Sequence, residues 1–126
     1  MDYTGNEESD FGYKLLRYTL LPELFGSEED DILYWGGKTI ARKYPLEKLD
    51  DIVTFFKKAG WGELRLVNEK KRSIYLEMKI EKSNQISRHL EAGYIAEQIE
   101  QIKGRPAVTY ISREKNKVTF HVQWDK

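Results

Sequence analysis

The chain has 126 residues and a mass of 14.9 kDa, which favours a single domain on the usual prior of about 100–200 residues per domain. It contains no cysteine, so disulfides, thiol catalysis, thiolate zinc sites and cysteine acylation are all excluded. Twenty-one basic residues balance twenty-one acidic ones, so overall charge does not point to nucleic acid or an anionic membrane, and no apolar run reaches the ~18–20 residues of a membrane span.

The balance hides an asymmetry. Residues 1–60 carry 12 acids and 8 bases, whereas residues 61–126 carry 9 acids and 13 bases. The hydrophobic period changes at the same place, from helical before Gly60 to alternating after it, with no Pro/Gly/Ser-rich linker between. One domain spanning 1–126, with a helical part and a sheet part, is expected.

The first ten residues are polar and read as a flexible N-terminus, with no signal-peptide pattern; a cytoplasmic protein is expected. From Phe11 to Leu21 the apolar residues span too wide an arc for a one-sided helix, so this helix is expected to be buried on more than one side. Pro22 should kink or end it, and Gly26 stops it. Ser27 with Asp30 three residues later fits a capping box, and Glu28, Glu29, Asp30 and Asp31 suit the first turn of a second helix, which Pro45 ends. Gly36, Gly37 and Ala41 on that helix form a smooth stripe against which another helix can pack closely. A third helix runs from about Leu46 to Ala59, with Gly60 as its left-handed stop and Trp61 placed to fold back on the last turn.

Beyond Gly60 the alternation of Leu64 and Leu66, then Ile74, Leu76, Met78 and Ile80, reads as an antiparallel hairpin turning at Glu69–Arg72. A loop from about Lys82 to Arg88 leads to a helix from about Leu90 to Lys103, bearing the small residues Ala92, Gly93 and Ala96. A second hairpin pairs Val108–Ser112 with Lys117–Trp124 and turns near Asn116, which tolerates left-handed geometry. The expected fold class is α+β: a four-stranded antiparallel sheet, made of two hairpins separated by a helix, with about four helices packed on one face.

Chemistry-bearing motifs are sparse. The Glu28–Asp31 cluster lacks the spacing of a calcium loop and reads as helix-start charge. His89 falls at a helix start and His121 on the polar side of a strand, and neither has a partner at metal-ligand spacing. Gly60-Trp61-Gly62 follows a helix, whereas phosphate loops follow a strand. Lys70, Lys71 and Arg72, with Lys115 and Lys117, place positive charge at both hairpin tips, a pattern most simply read as solvated turns. No nucleic-acid partner, metal, cofactor or enzymatic activity is therefore expected. Sixteen aromatic residues (3 Trp, 8 Tyr, 5 Phe) exceed the needs of a small core, and with the glycine stripes they suggest an apolar pocket or a subunit interface.

Several stretches together are distinctive: LPELFG (21–26), DDILYWGGKTIARKYPLE (30–47), FFKKAGWGEL (55–64), LEAGYIAEQIE (90–100) and VQWDK (122–126). In this order they resemble the YslB-like family, small bacterial proteins of unknown function. The resemblance implies kinship with a wider ligand-binding fold seen in four-vinyl-reductase-type domains, Golgi transport-particle subunits and haem nitric-oxide sensors. Such relatives pair through a helical face, and some hold an apolar ligand between helices and sheet. The missing cysteines exclude the acylated and cysteine-rich metal-binding versions, and neither histidine suits haem. The segment KIEKSNQISRH (79–89) is shorter than the family leads one to expect. The expected function is a non-enzymatic domain that binds a small hydrophobic ligand and forms a homodimer, the alternative being an interaction adaptor with a filled core. The residues expected to line the pocket or interface are Trp35, Gly36, Gly37, Trp61, Gly93 and Tyr94.

Overall fold

The computed structural model describes residues 6–81 and 86–125. The chain opens with a helical arm, made of α1 (Asn6–Lys14), π-type turns at Leu15–Leu20 and α2 (Leu21–Phe25). A tight turn at Gly26–Glu28 leads to α3 (Glu29–Lys43) and then α4 (Leu49–Lys58). Strands β1 (Leu64–Glu69) and β2 (Ser73–Lys79) follow, then α5 (His89–Lys103), β3 (Ala107–Glu114) and β4 (Lys117–Trp124). Residues 82–85, within the short 79–89 segment, lie outside the described residues.

The α+β class holds, with a four-stranded sheet in the order β1-β2-β4-β3 and every pair antiparallel. Ile74, Leu76 and Met78 of β2 and Val118, Phe120 and Val122 of β4 fill one face and are buried, as the alternation requires. Helix α5 lies on that face against β3 and β4, α3 packs on α5, and α4 covers the β1 end. Among the described residues the opposite face carries no helix. A bulge at Val67 shifts the β1–β2 register between Leu66 and Asn68.

Local signals at helix ends are realised where only a few residues decide them. Gly60 adopts φ +77°, Trp61 N–H donates to Phe56 O at 2.9 Å, and Gly60 N–H donates to Lys57 O at 3.2 Å. This double closure ends α4 and turns the indole back onto Phe56.

The arm differs from expectation. Of four expected helices, three form without interruption with ten or more residues, of 15, 10 and 15 residues for α3, α4 and α5. The fourth is broken into short pieces. Helical geometry already begins at Asn6, within the stretch expected to be flexible. Pro22 does not end the path: Leu21 N–H bonds to Leu16 O, five residues back, and Pro22 then stands in the first turn of α2, where its missing amide costs nothing. Nor is the arm buried on several sides. Phe11, Leu15, Leu16, Leu20 and Leu24 are exposed, and Arg17 is the one buried side chain among the described residues of the arm.

Two smaller expectations also change. Glu28, not Ser27, is the N-cap of α3 and makes no side-chain cap bond, because Gly26–Glu28 are already wound into a tighter turn. Glu29, Asp30 and Asp31 still occupy the first turn, where the helix dipole favours them. The second hairpin turns at Asn116 as expected, but among the described residues no residue other than glycine has a positive φ, so the turn closes without left-handed asparagine.

Candidate functional site

Helices α3 and α5 cross with their backbones in contact. A Cβ added to Gly37 would collide with the carbonyl oxygen of Leu90 and stand 2.6 Å from the amide nitrogen of Tyr94. A Cβ added to Gly93 would collide with the carbonyl oxygen of Tyr34 and stand 2.7 Å from its carbonyl carbon. Each glycine thus admits the other helix's backbone, and only glycine leaves the space. Gly36 is under no such demand, since its nearest foreign atom is a Leu90 methyl carbon at 3.7 Å. The crossing closes over α5, which is buried continuously from Glu91 to Ile99.

Beside the crossing lies an aromatic cluster. Tyr94, fully buried, stacks on Phe55 at 4.5 Å between ring centroids, and Trp61 meets Tyr94 edge-on at 5.2 Å and Phe56 at 5.1 Å. The Tyr94 hydroxyl has no hydrogen-bond partner among the described residues, and burial pushes its pKa well above the ordinary tyrosine value. Outside Phe55 an open apolar groove of about 470 Å³ is lined by Tyr44, Pro45, Leu46, Phe55, Lys58 and Ala59. Its wall is clamped by Gln98, a fully buried carboxamide. Gln98 Nε2 donates to Tyr44 O at 2.8 Å, and its Oε1 accepts from Leu46 N–H at 3.0 Å, so one side chain holds both flanks of Pro45.

A polar cluster ties the arm to the body. Glu91, with no exposure, accepts hydrogen bonds from Arg17 Nη2 at 3.0 Å and from Arg88 Nη1 at 3.0 Å. Arg17 Nη2 also donates to Ser87 O at 2.8 Å, and its Nη1 to the Tyr13 hydroxyl at 3.0 Å. Burial raises the Tyr13 pKa, although the guanidinium of Arg17 opposes the rise. Two cations on one carboxylate satisfy Glu91 but leave Arg88 Nε without a partner. Next to this cluster, Ser87, His89 and Asp30 come together in a way that superficially suggests a hydrolytic triad. Ser87 Oγ lies 3.4 Å and Asp30 Oδ1 3.3 Å from the same imidazole nitrogen, Nδ1. A relay needs the acid on one ring nitrogen and the nucleophile on the other, so this arrangement activates no hydroxyl.

The six residues singled out from the sequence therefore divide. Gly37, Gly93, Tyr94 and Trp61 adjoin one another inside the fold, at the helix crossing and the cluster beside it. Trp35 lies on the outward side of α3, 63% exposed, with the Arg42 guanidinium 5.4 Å from its ring centre. Leu16 and Leu24 of the arm, 49% and 64% exposed, are further apolar side chains left open on the helical part of the chain.

Comparison with known proteins places this architecture. The family described as "Protein of unknown function (DUF2507)" matches residues 10–123. The chain belongs to this family. It is 34% identical to the uncharacterized protein YslB of Bacillus subtilis (strain 168) over 128 residues, covering 94% of this chain and 86% of the relative. Its fold is similar to that of a vinyl-4-reductase family protein from Methanocaldococcus jannaschii, known from a crystal structure at 1.90 Å resolution. The TM-score is 0.62 at 19% identity, covering 75% of this chain and 68% of the other, a likeness of fold alone.

In this DUF2507 domain, sequence reasoning missed Arg17, Arg88, Glu91 and Gln98. Arg17 and Glu91 are 74 residues apart in the chain, so no spacing rule links them. A faint signal did exist: Glu91, Glu97 and Gln98 interrupt the stretch from Leu90 to Ile99, whose other residues are small or apolar, which implies buried partners for those polar groups.

Proposed function

We propose that this DUF2507 domain is a non-enzymatic, cytoplasmic interaction module that forms a homodimer through its helical face. The observation that carries this reading is the arm, whose one buried side chain among the described residues is an arginine while Leu15, Leu16, Leu20 and Leu24 are exposed. A helix that exposes its apolar side chains and is moored by an ion pair is stabilised when a second apolar surface covers it, and an identical copy provides one by two-fold symmetry. Light scattering coupled to size exclusion tests the reading. A dimer at micromolar concentration that becomes a monomer in a Leu16→Glu/Leu24→Glu variant supports it, and a wild-type monomer under the same conditions refutes it.

The groove at Tyr44 and Phe55 favours a second reading, in which a small apolar ligand rests there against the aromatic cluster. Native mass spectrometry of protein from its own host, followed by denaturing analysis, distinguishes the two. A mass excess lost on denaturation means a bound molecule, and none leaves the groove as plain surface.

A further inference from the structure

The uncovered sheet face and its β1–β2 end hold features that neither the helical interface nor the groove uses. The turn residues Lys71 and Arg72 meet Lys103 and Arg105, from the end of α5 and the loop beyond it, around a depression of about 500 Å³ walled by Trp124 and Asp125. Trp124 N–H donates to Arg72 O at 3.1 Å, which locks the turn to the end of β4. Lys103 Nζ is 3.5 Å from Glu69 and 5.2 Å from the centre of the Trp124 ring. Among the described residues, Lys71, Arg72 and Arg105 meet no carboxylate within 4.0 Å. Four cations thus face two carboxylates, Glu69 and Asp125. The other basic tip, at Lys115 and Lys117, is at the far end of the sheet, where Lys117 is already paired with Glu77 and Glu114.

A second depression of about 310 Å³ shares Trp124 and Asp125 with the first and continues onto the open face between Pro106, Val108, Tyr110 and Gln123. Tyr110 is 54% exposed. Its ring centre lies 6.3 Å from that of His121, tilted by 48°, and the His121 ring is itself parallel to Tyr75 at 4.1 Å. An exposed ring beside a carboxamide, in a depression that adjoins the one holding Lys71, Arg72 and Arg105, has the parts of a stacking site next to a phosphate site.

We propose that this end of the sheet binds single-stranded nucleic acid, with phosphates at Lys71, Arg72 and Arg105 and a base on the ring of Tyr110. The chemistry favours this occupant over an acidic peptide, which would meet the cations but make no use of the aromatic face. A duplex keeps its bases stacked on each other and offers Tyr110 none. The inference reverses the expectation drawn from overall charge, because folding brings together cations from two segments about thirty residues apart in the chain. It does not depend on the homodimer, which uses the opposite side of the molecule.

Fluorescence anisotropy of a labelled oligo-dT or oligo-U of about 15 nucleotides, titrated with the full chain, tests it. Binding in the range of about 1–100 micromolar at low salt, weakening as salt is raised, is expected. Lys71→Glu/Arg105→Glu should weaken it at least about ten-fold. Tyr110→Ala should weaken it about five-fold or more, with binding restored in Tyr110→Phe. Melting temperatures of these exposed-site variants should match the wild type. No binding at about 100 micromolar protein overturns the proposal. So does equal binding by the charge-reversed variant. A Tyr110→Ala variant that binds as well as wild type, with polyglutamate competing as well as unlabelled oligonucleotide, also overturns it and leaves only an anion-attracting surface.

Discussion

Helix α5 and the N-terminal arm are both helical and both rich in apolar residues, yet one is buried on every side from Glu91 to Ile99 and the other exposes its leucines. The difference lies in what touches them. Helix α5 has the sheet on one side and the backbone of α3 on the other, and Gly93 and Gly37 let that backbone approach to contact. Among the described residues the arm has no such close neighbour and is held at a polar point by Arg17. Apolar content therefore does not decide burial here. The availability of a second covering surface does, and among the described residues Phe11, Leu15, Leu16, Leu20 and Leu24 are left exposed.

The largest expected effect comes from closing the gap at the crossing. Gly93→Leu or Gly37→Leu places side-chain atoms where Tyr34 or Leu90 backbone now stands, and should cost about 3 kcal/mol or more by chemical denaturation. Gly36→Ala, one position round the helix, should stay within about 0.5 kcal/mol of wild type. Equal effects at Gly36 and Gly37 would show that the crossing is not held by backbone contact.

Next is the mooring of the arm. Glu91→Ala leaves Arg17 and Arg88 buried without their carboxylate and should cost about 3–5 kcal/mol. Arg17→Met should instead release the arm, read as faster amide exchange in residues 6–25 with α5 still protected. If α5 loses protection together with the arm, the two regions are one cooperative unit and the contrast drawn above is wrong.

Smaller in free energy, but decisive for the exposed side, is the effect of salt and sequence on association. Trp35→Ala alone should change monomer stability by less than about 1 kcal/mol while weakening the dimer. The smallest effect is expected in the buried cluster. Tyr94→Phe removes a hydroxyl that makes no full hydrogen bond among the described residues and feels only the Gln98 carboxamide there, so the change should stay within about 1 kcal/mol of wild type. The Tyr94, Tyr13 and Tyr34 hydroxyls all have pKa values raised above the ordinary 10.0, each chiefly by burial. Above pH 10 the unfolded chain loses those protons before the folded one, so stability is full below pH 10 and falls as pH rises beyond it. Denaturation melts from pH 8 to 11 should show that fall, with a shallower slope in Tyr94→Phe.

Much of the body was legible because its signals are local. Alternation from Ile74 to Ile80 and from Val118 to Trp124 sets which face each strand buries, since a one-residue slip would expose the whole set. Gly60 with Trp61 announced the stop of α4 because the closure needs only six consecutive residues. The glycine pair was visible as a stripe, but not which member mattered, because Gly36 and Gly37 differ only in what lies opposite. The capping box at Ser27 was misleading for a related reason: a favourable local pattern gave way to a tighter turn preceding the helix.

Sequence alone determined the order of the hairpins and of the helix between them, the strand faces and the lack of cysteine chemistry, because periodicity, turn residues and composition are properties of neighbouring residues. The tertiary structure decided which glycines are essential, which acid is buried between two arginines, which aromatics are core and which are surface, and where a neutral chain concentrates positive charge. Those outcomes depend on residues brought together from distant positions, as with Arg17 and Glu91 or Arg72 and Arg105. Their contacts exist only after the sheet has formed and α5 has crossed it.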